Sequence, residues 1–277
     1  MLGKNRPREH SPYSSAEWIR NMNNLPNLKV WKRHKGLFLP KTGKKYAYFK
    51  PSVQWADLNL GELPLDAKTR ILQIGAGSGR LAAWLFGMKK LRPENYDLMD
   101  LAYSPKGGKW DGSGVYFKSR IANLLRAGKI RIMRGNMYSY KFSKEAHGRY
   151  DHILLPNAFF SSRVNLNAKG LQTMHAALGK ISPSSQLGKE LARHPHLIPT
   201  IAKNICALAR LVGNLQVALK PGGTIRISSV GNNIFSAINE LPHKERLFPG
   251  FSDFEQGLNG NAIIFRKKPA ARGKTNK

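Results

Sequence analysis

The sequence predicts an α/β fold built on a mostly parallel sheet with helices on both faces. Three observations predict it. The first is Ile71-Leu72-Gln73-Ile74, then Gly75-Ala76-Gly77-Ser78-Gly79-Arg80, then Leu81-Ala82-Ala83-Trp84-Leu85. This reads as a buried strand feeding a helix through a turn in which every second residue is glycine. Glycine accepts positive φ and has no Cβ, so such a backbone bends sharply and lets a ligand approach closely. The second is the alternation of short apolar runs with helical stretches along the following two hundred or so residues. The third is Asp100, at the end of the next apolar run and 21 residues after Gly79. In nucleotide-type folds a carboxylate at that spacing meets ribose hydroxyls, outside the carboxyl ends of the strands.

The glycine turn excludes two ligand classes. The dinucleotide fingerprint G-x-G-x-x-G needs a small third residue where helix and strand pack closely, and here Arg80 stands in that place. A phosphate-cradling P-loop needs G-K-[ST], which does not follow. What remains is G-x-G-x-G.

In chain order, residues 1–60 form a basic N-terminal extension, with twelve Lys or Arg between Met1 and Lys50 against Glu9 and Glu17. Within it, Val30 to Phe38 and Lys44 to Lys50 interleave aromatics with cations. Cations reach phosphates and aromatic faces stack on unpaired bases, which suits single-stranded RNA. A half-exposed hairpin packing on the main domain is the competing, compatible reading. The N-terminus has no apolar stretch of the kind a secretory signal needs.

Residues 61–268 carry the core. Strand one is Arg70 to Ile74, the first helix about Arg80 to Lys90, and strand two Tyr96 to Asp100. Asp97 competes with Asp100 if strand two ends early. A glycine- and lysine-rich loop, Lys106 to Gly114, follows on the ligand side, then a helix, about Val115 to Arg126. Strand three is Ile130 to Met133, with Arg134-Gly135-Asn136-Met137 as its turn, and strand four is Tyr150 to Leu155, leading into Pro156-Asn157-Ala158-Phe159-Phe160. Residues 161–199 leave the compact pattern and are expected to form a lid or substrate-side insertion. A helix from about Thr200 to Leu219 ends at Lys220-Pro221-Gly222-Gly223, and Thr224 to Ser229 makes strand five. Phe251 to Gln256 and Ala262 to Phe265 form two last, antiparallel strands. The chain from Arg266 holds six Lys or Arg and no acid, a composition that favours disorder, and 269–277 are taken as a basic tail.

Gly75-x-Gly77-x-Gly79 is similar to motif I of the class I S-adenosylmethionine (SAM)-dependent methyltransferases. Leu219-Lys220-Pro221-Gly222-Gly223 resembles the turn before strand five of that family. The resemblance covers roughly Leu65 to Lys267. It implies a seven-stranded Rossmann-like methyltransferase sheet, S-adenosyl-L-methionine as cofactor, and direct attack of a substrate nucleophile on the sulfonium methyl. It assigns cofactor binding to Gln73, Gly75, Gly77, Gly79, Asp100 and Asn136. Asp100 would meet the ribose, and the Asn136 amide oxygen the adenine amino group. Gln73 stands where the family often has Asp or Glu. Asn157 falls at the family's motif IV and is the catalytic candidate, a polar group near the methyl transfer. Pro156-Asn157 reverses the order used by enzymes that methylate exocyclic amines of bases, so that activity is not carried over. Methylation at cytosine C5 needs a cysteine near strand four, and Cys206 is far from it in sequence.

The 277 residues carry 46 Lys or Arg against 16 Asp or Glu, a net charge of +30. That excess creates a long-range field that attracts polyanions, and nucleic acid, RNA foremost, is the expected partner. The single cysteine fits a reducing, cytoplasmic setting, and its apolar helical surroundings suit a small buried hydrophobe rather than a nucleophile. His194 and His196 flank a proline without a Cys or carboxylate cluster, so no metal site is expected. The reading is an RNA methyltransferase. Its alternatives are a non-catalytic RNA- or ribonucleoprotein-binding protein on the same fold, and a methyltransferase for proteins or small molecules.

Overall fold

The computed structural model describes residues 58, 60, 63, 65–75, 81–82, 85–86, 91–100, 124, 127–156, 164–228, 230, 232–257 and 262–270. Most of the basic extension, the Lys106 to Gly114 loop, nearly all of the helix expected at Val115 to Arg126, and residues 271–277 lie outside the described residues. Seven strands form one sheet: β1 (Ile71–Ile74), β2 (Tyr96–Asp100), β3 (Arg131–Arg134), β4 (Tyr150–Leu155), β5 (Leu219–Ser228), β6 (Phe251–Gln256) and β7 (Ala262–Lys267). Their order is β3-β2-β1-β4-β5-β7-β6. This is the expected seven-stranded, Rossmann-like sheet.

The pairs from β3 through β5 are parallel, while β7 runs antiparallel to both β5 and β6. The two last strands pair antiparallel as expected, and β7 is the reversed one, so β6 shares the direction of β5. The chain steps outward from β1 to β3, then returns to lay β4 beside β1. That reversal opens a crevice outside the carboxyl ends of β1 and β4, the usual ligand position in open α/β sheets.

Side chains alternate across the sheet because successive residues of a strand point to opposite faces. Ile71, Tyr96, Leu98 and Leu154 pack with Leu58, Leu60, Leu63 and with Leu81, Leu85 and Phe86, helical residues that follow the glycine turn. Leu72, Ile74, Met99, Ile153, Leu155, Ile225 and Ile227 pack on the other face. There the cover is four helices: α1 (Ala168–Leu178), α2 (Gln186–Arg193), α3 (Ile198–Leu215) and α4 (Asn232–Glu240). The apolar stripe of α3, from Ile201 to Leu215, is buried throughout.

Within the stretch expected to leave the compact pattern, Ala168–Leu178 and Gln186–Arg193 are helical and sit in this core. Asn167 caps α1 by accepting from the Lys169 N–H, and the Ser185 Oγ caps α2 by accepting from the Gly188 N–H. Met174, Leu178, Leu187 and Leu191 are buried in the sheet-facing cluster. Lys220-Pro221-Gly222-Gly223 is likewise not a turn before β5 but part of it, since Leu219 already pairs with Tyr150. The β4–β5 register shifts between Tyr150 and His152 to absorb those residues. Arg266 and Lys267 belong to β7, and the Lys267 ammonium donates to the Gln216 and Leu219 carbonyls at 2.8 and 2.6 Å. An ordered strand end therefore replaces the disorder expected at those two residues.

Candidate functional site

The carboxyl ends of β1, β2 and β3 are joined by backbone hydrogen bonds that continue past the strands. The Gly75 N–H donates to the Met99 carbonyl at 2.9 Å, and the Gly135 N–H donates to the Asp100 carbonyl at 3.1 Å. The first residue of each turn is thus fixed to its neighbour. Gly75 has φ of 74°, a left-handed conformation that strains any residue with a Cβ. Gly77 and Gly79 lie outside the described residues.

Asp100 is the last residue of β2 and is buried, between the ends of β1 and β3. A carboxylate held there is removed from bulk water yet stands beside the glycine turn, where it suits a pair of ligand hydroxyls. Asp97, its competitor, faces the opposite end of the same strand. Its carboxylate accepts from the Tyr150 hydroxyl at 2.6 Å and from Arg131 at 2.9 Å, with Arg149 at 3.4 Å. Burial, then the Asp97 charge, push the Tyr150 hydroxyl well above its ordinary range, so it stays a donor. Asp97 is a structural acid.

Asn136 closes the turn after β3. Its Oδ1 accepts from the Tyr138 N–H at 3.0 Å, and its carbonyl accepts from the Ser139 N–H at 3.0 Å. A backbone N–H can meet only an oxygen, so this bond orients the amide and turns the NH2 group away from Tyr138. The amide oxygen expected to serve a ligand accepts this turn bond with one of its two lone pairs. Gly135 is needed by close approach: a Cβ there would lie 2.2 Å from the Tyr140 ring. Tyr140 packs edge-on to Phe142 at 5.0 Å, and Asn214 of α3 donates to the Met137 carbonyl at 2.7 Å. The turn is tied to both ring and helix.

Gln73 is buried behind the glycine turn. Its Oε1 accepts from the Tyr96 hydroxyl at 2.8 Å, and its Nε2 donates to the Gly75 carbonyl at 3.2 Å. Sequence reasoning missed Tyr96, because only the parallel register, Ile71 beside Tyr96, brings the start of β2 to this turn. β4 ends at Leu155, and Pro156 follows it into the crevice; Asn157 lies outside the described residues.

Other sequence candidates stand apart. Cys206 packs α3 on α1, its Sγ 3.9 Å from the Gly170 carbonyl, and burial pushes its thiol up. His194 and His196 are exposed and stack on each other edge-on, and no metal-holding cluster occurs among the described residues. His152 of β4 is held near pKa 4 by burial and then by Arg226, with Thr224 at 2.9 Å from its Nδ1. It is a neutral core histidine.

No protein-family model and no curated protein sequence matches the chain. Solved structures do match in chain path. One is a Methanococcus maripaludis protein assigned to the SAM-dependent methyltransferases, at 13% identity and TM-score 0.40, covering 98% of this chain and 100% of that one. A second is phosphoethanolamine N-methyltransferase 2 of Haemonchus contortus, solved with S-adenosylhomocysteine, at 12% identity and TM-score 0.39, covering 93% of this chain and 61% of that one. A third is a SAM-dependent methyltransferase of Mesorhizobium loti, at 15% identity and TM-score 0.30, covering 63% and 52%. Likeness of this degree concerns the path of the chain and not the chemistry of the site.

Proposed function

We propose that the protein is a SAM-dependent methyltransferase acting on RNA. The observation that carries the first half is the row of strand ends: a positive-φ glycine turn after β1, a buried Asp100 ending β2, and a pinned asparagine turn after β3. A nucleoside with a short amino-acid arm fits that row. Gly75 lets the backbone lie close to the arm, Asp100 accepts from the ribose hydroxyls, and Asn136 borders the base.

The cofactor supplies an electrophilic methyl group on its sulfonium. The chain's own work is to hold donor and acceptor in line and to exclude water. Asn157, just beyond β4 in sequence, is assigned the orienting of the substrate nucleophile. No metal is needed for this reading.

The second half rests on charge. A net +30 over 277 residues favours a polyanionic substrate. The cationic and aromatic N-terminal extension and the basic tail are assigned to RNA. The test is transfer of labelled methyl from SAM to total RNA, to protein and to small amines in parallel. RNA labelling that falls steeply with salt is the expected result. Labelling of protein or small molecules alone would replace RNA as the substrate. RNA binding with neither methyl transfer nor SAM binding would leave a non-catalytic RNA-binding protein on this fold.

A further inference from the structure

Positive charge is not spread evenly along the chain. Residues 161–239, which include α1, α2 and α3, hold nine Lys or Arg and one acid, Glu190, whereas residues 240–268 hold five against four. Lys189 and Arg193 stand four residues apart on α2, so they share one stripe of that helix, and both are exposed. Among the described residues neither has an ion pair or a side-chain hydrogen bond. On the sheet, by contrast, Arg131, Lys220 and Arg266 each meet an acid. The Glu190 carboxylate is turned to α4, where it accepts from Asn233 at 3.2 Å.

The corner between α2 and α3 is braced and aromatic. The His194 N–H donates to the Glu190 carbonyl at 2.9 Å and the Leu197 N–H to the His194 carbonyl at 3.0 Å, with Pro195 fixing φ between them. His194 and His196 are exposed, their rings edge-on with centroids 5.7 Å apart. Aromatic faces presented from a fixed backbone lose little entropy when a base stacks on them. Asn233 lies in the first turn of α4, which leaves the carboxyl end of β5, the strand beside β4. Its bond to Glu190 places the corner on the same edge of the sheet as the crevice.

We propose that this corner grips single-stranded RNA: Lys189 and Arg193 meet two backbone phosphates, and the His194–His196 pair takes the face of an unpaired base. The proposal rests on the RNA half of the reading above and names where the folded core would hold that RNA. Phosphates need cations that no acid already neutralises, and α2 supplies them. Open aromatic faces suit bases and not lipid headgroups, which favours RNA over a membrane surface.

The experiment is fluorescence anisotropy of the full chain with a labelled oligoadenylate of about 16 nucleotides, across a range of salt. The variants are Lys189→Gln with Arg193→Gln, His194→Ala with His196→Ala, and Lys129→Gln with Lys144→Gln. The last pair removes the same charge at the amino edge, where both lysines are exposed, one just before β3 and the other before β4. Melting curves establish that each variant is folded. The α2 pair is expected to bind roughly tenfold more weakly at low salt, with a log–log salt slope shallower by about 1.4, two contacts at about 0.7 each. The histidine pair is expected to lose roughly fivefold with its slope unchanged, and the amino-edge pair to stay within about twofold of the wild type. No loss in the α2 pair, or an equal loss in the amino-edge pair, overturns the corner while the RNA reading stands. A histidine pair that binds like the wild type also overturns it. So does loss of binding to phosphatidylglycerol vesicles in the α2 pair with RNA binding intact. No RNA binding by the wild type overturns both.

Discussion

Strand β2 carries two buried aspartates three residues apart, and they have opposite surroundings. Asp97, at the amino end, is 3% exposed and ringed by Tyr150, Arg131 and Arg149. Asp100, at the carboxyl end, is 7% exposed and stands beside the glycine turn. Burial does not distinguish them. The direction of the strand does, because in a parallel sheet the ligand lies outside the carboxyl ends. The amino edge of the sheet is a foundation closed by its own charges. There Asp151 accepts from the Arg70 N–H at 2.8 Å and pairs with Lys220 at 2.7 Å. The carboxyl edge is built of turns.

The largest effect separating the two edges is expected from acid. His152 is held neutral with a pKa of about 4, below the ordinary value of about 6.5. The unfolded chain therefore binds a proton first, and stability is lost as pH falls from about 6.5 through 4, by up to ~3 kcal/mol. Thermal melts of His152→Gln should show a flatter acid limb than the wild type. An equal limb would place the acid sensitivity elsewhere. Next in size is Asp97→Ala, which leaves Tyr150 and Arg149 without their acceptor. Because Arg131 is half exposed, the expected loss is discounted to about 2 kcal/mol, read by denaturant unfolding, with ligand affinity of the folded protein unchanged.

Asp100→Ala should do the reverse. Its affinity for S-adenosylhomocysteine should fall roughly ten- to a hundredfold, read on protein whose melting curve shows it folded. Smallest is Gly75→Ala, which forces a Cβ into positive φ at about 1–2 kcal/mol. It should lower both melting temperature and affinity modestly. A change in melting temperature alone would detach the turn from the site.

Much of the frame is legible from residues. β2 and β4 occur at the expected bounds, because Tyr96 to Asp100 and Tyr150 to Leu155 are short apolar runs with turn-formers on either side. Asp100 is singled out by its place at the end of strand two, its spacing from Gly79 and the family resemblance together. The helices α1 and α2 were not, although their Asn167 and Ser185 caps are ordinary start signals. The Ser182-Pro183-Ser184-Ser185 run hid the stripe formed by Leu187 and Leu191. Helix α4 went unread because its nine residues are too few to show a convincing period. The choice between Asp97 and Asp100, the engagement of the Asn136 oxygen and the part played by Tyr96 all depend on register and on turn geometry. Those are properties of neighbouring strands, and no single stretch of sequence contains them.

The central claim is that the carboxyl edge of β1, β2 and β3 holds SAM through Asp100 and the Gly75 turn. The most direct measurement is calorimetric titration of the purified, nucleic-acid-free protein with S-adenosylhomocysteine, alongside Asp100→Ala and Asp97→Ala. Binding in the micromolar range, near −8 kcal/mol, that is lost in Asp100→Ala and kept in folded Asp97→Ala is the expected result. No binding by the wild type, or equal binding by Asp100→Ala, would contradict the claim.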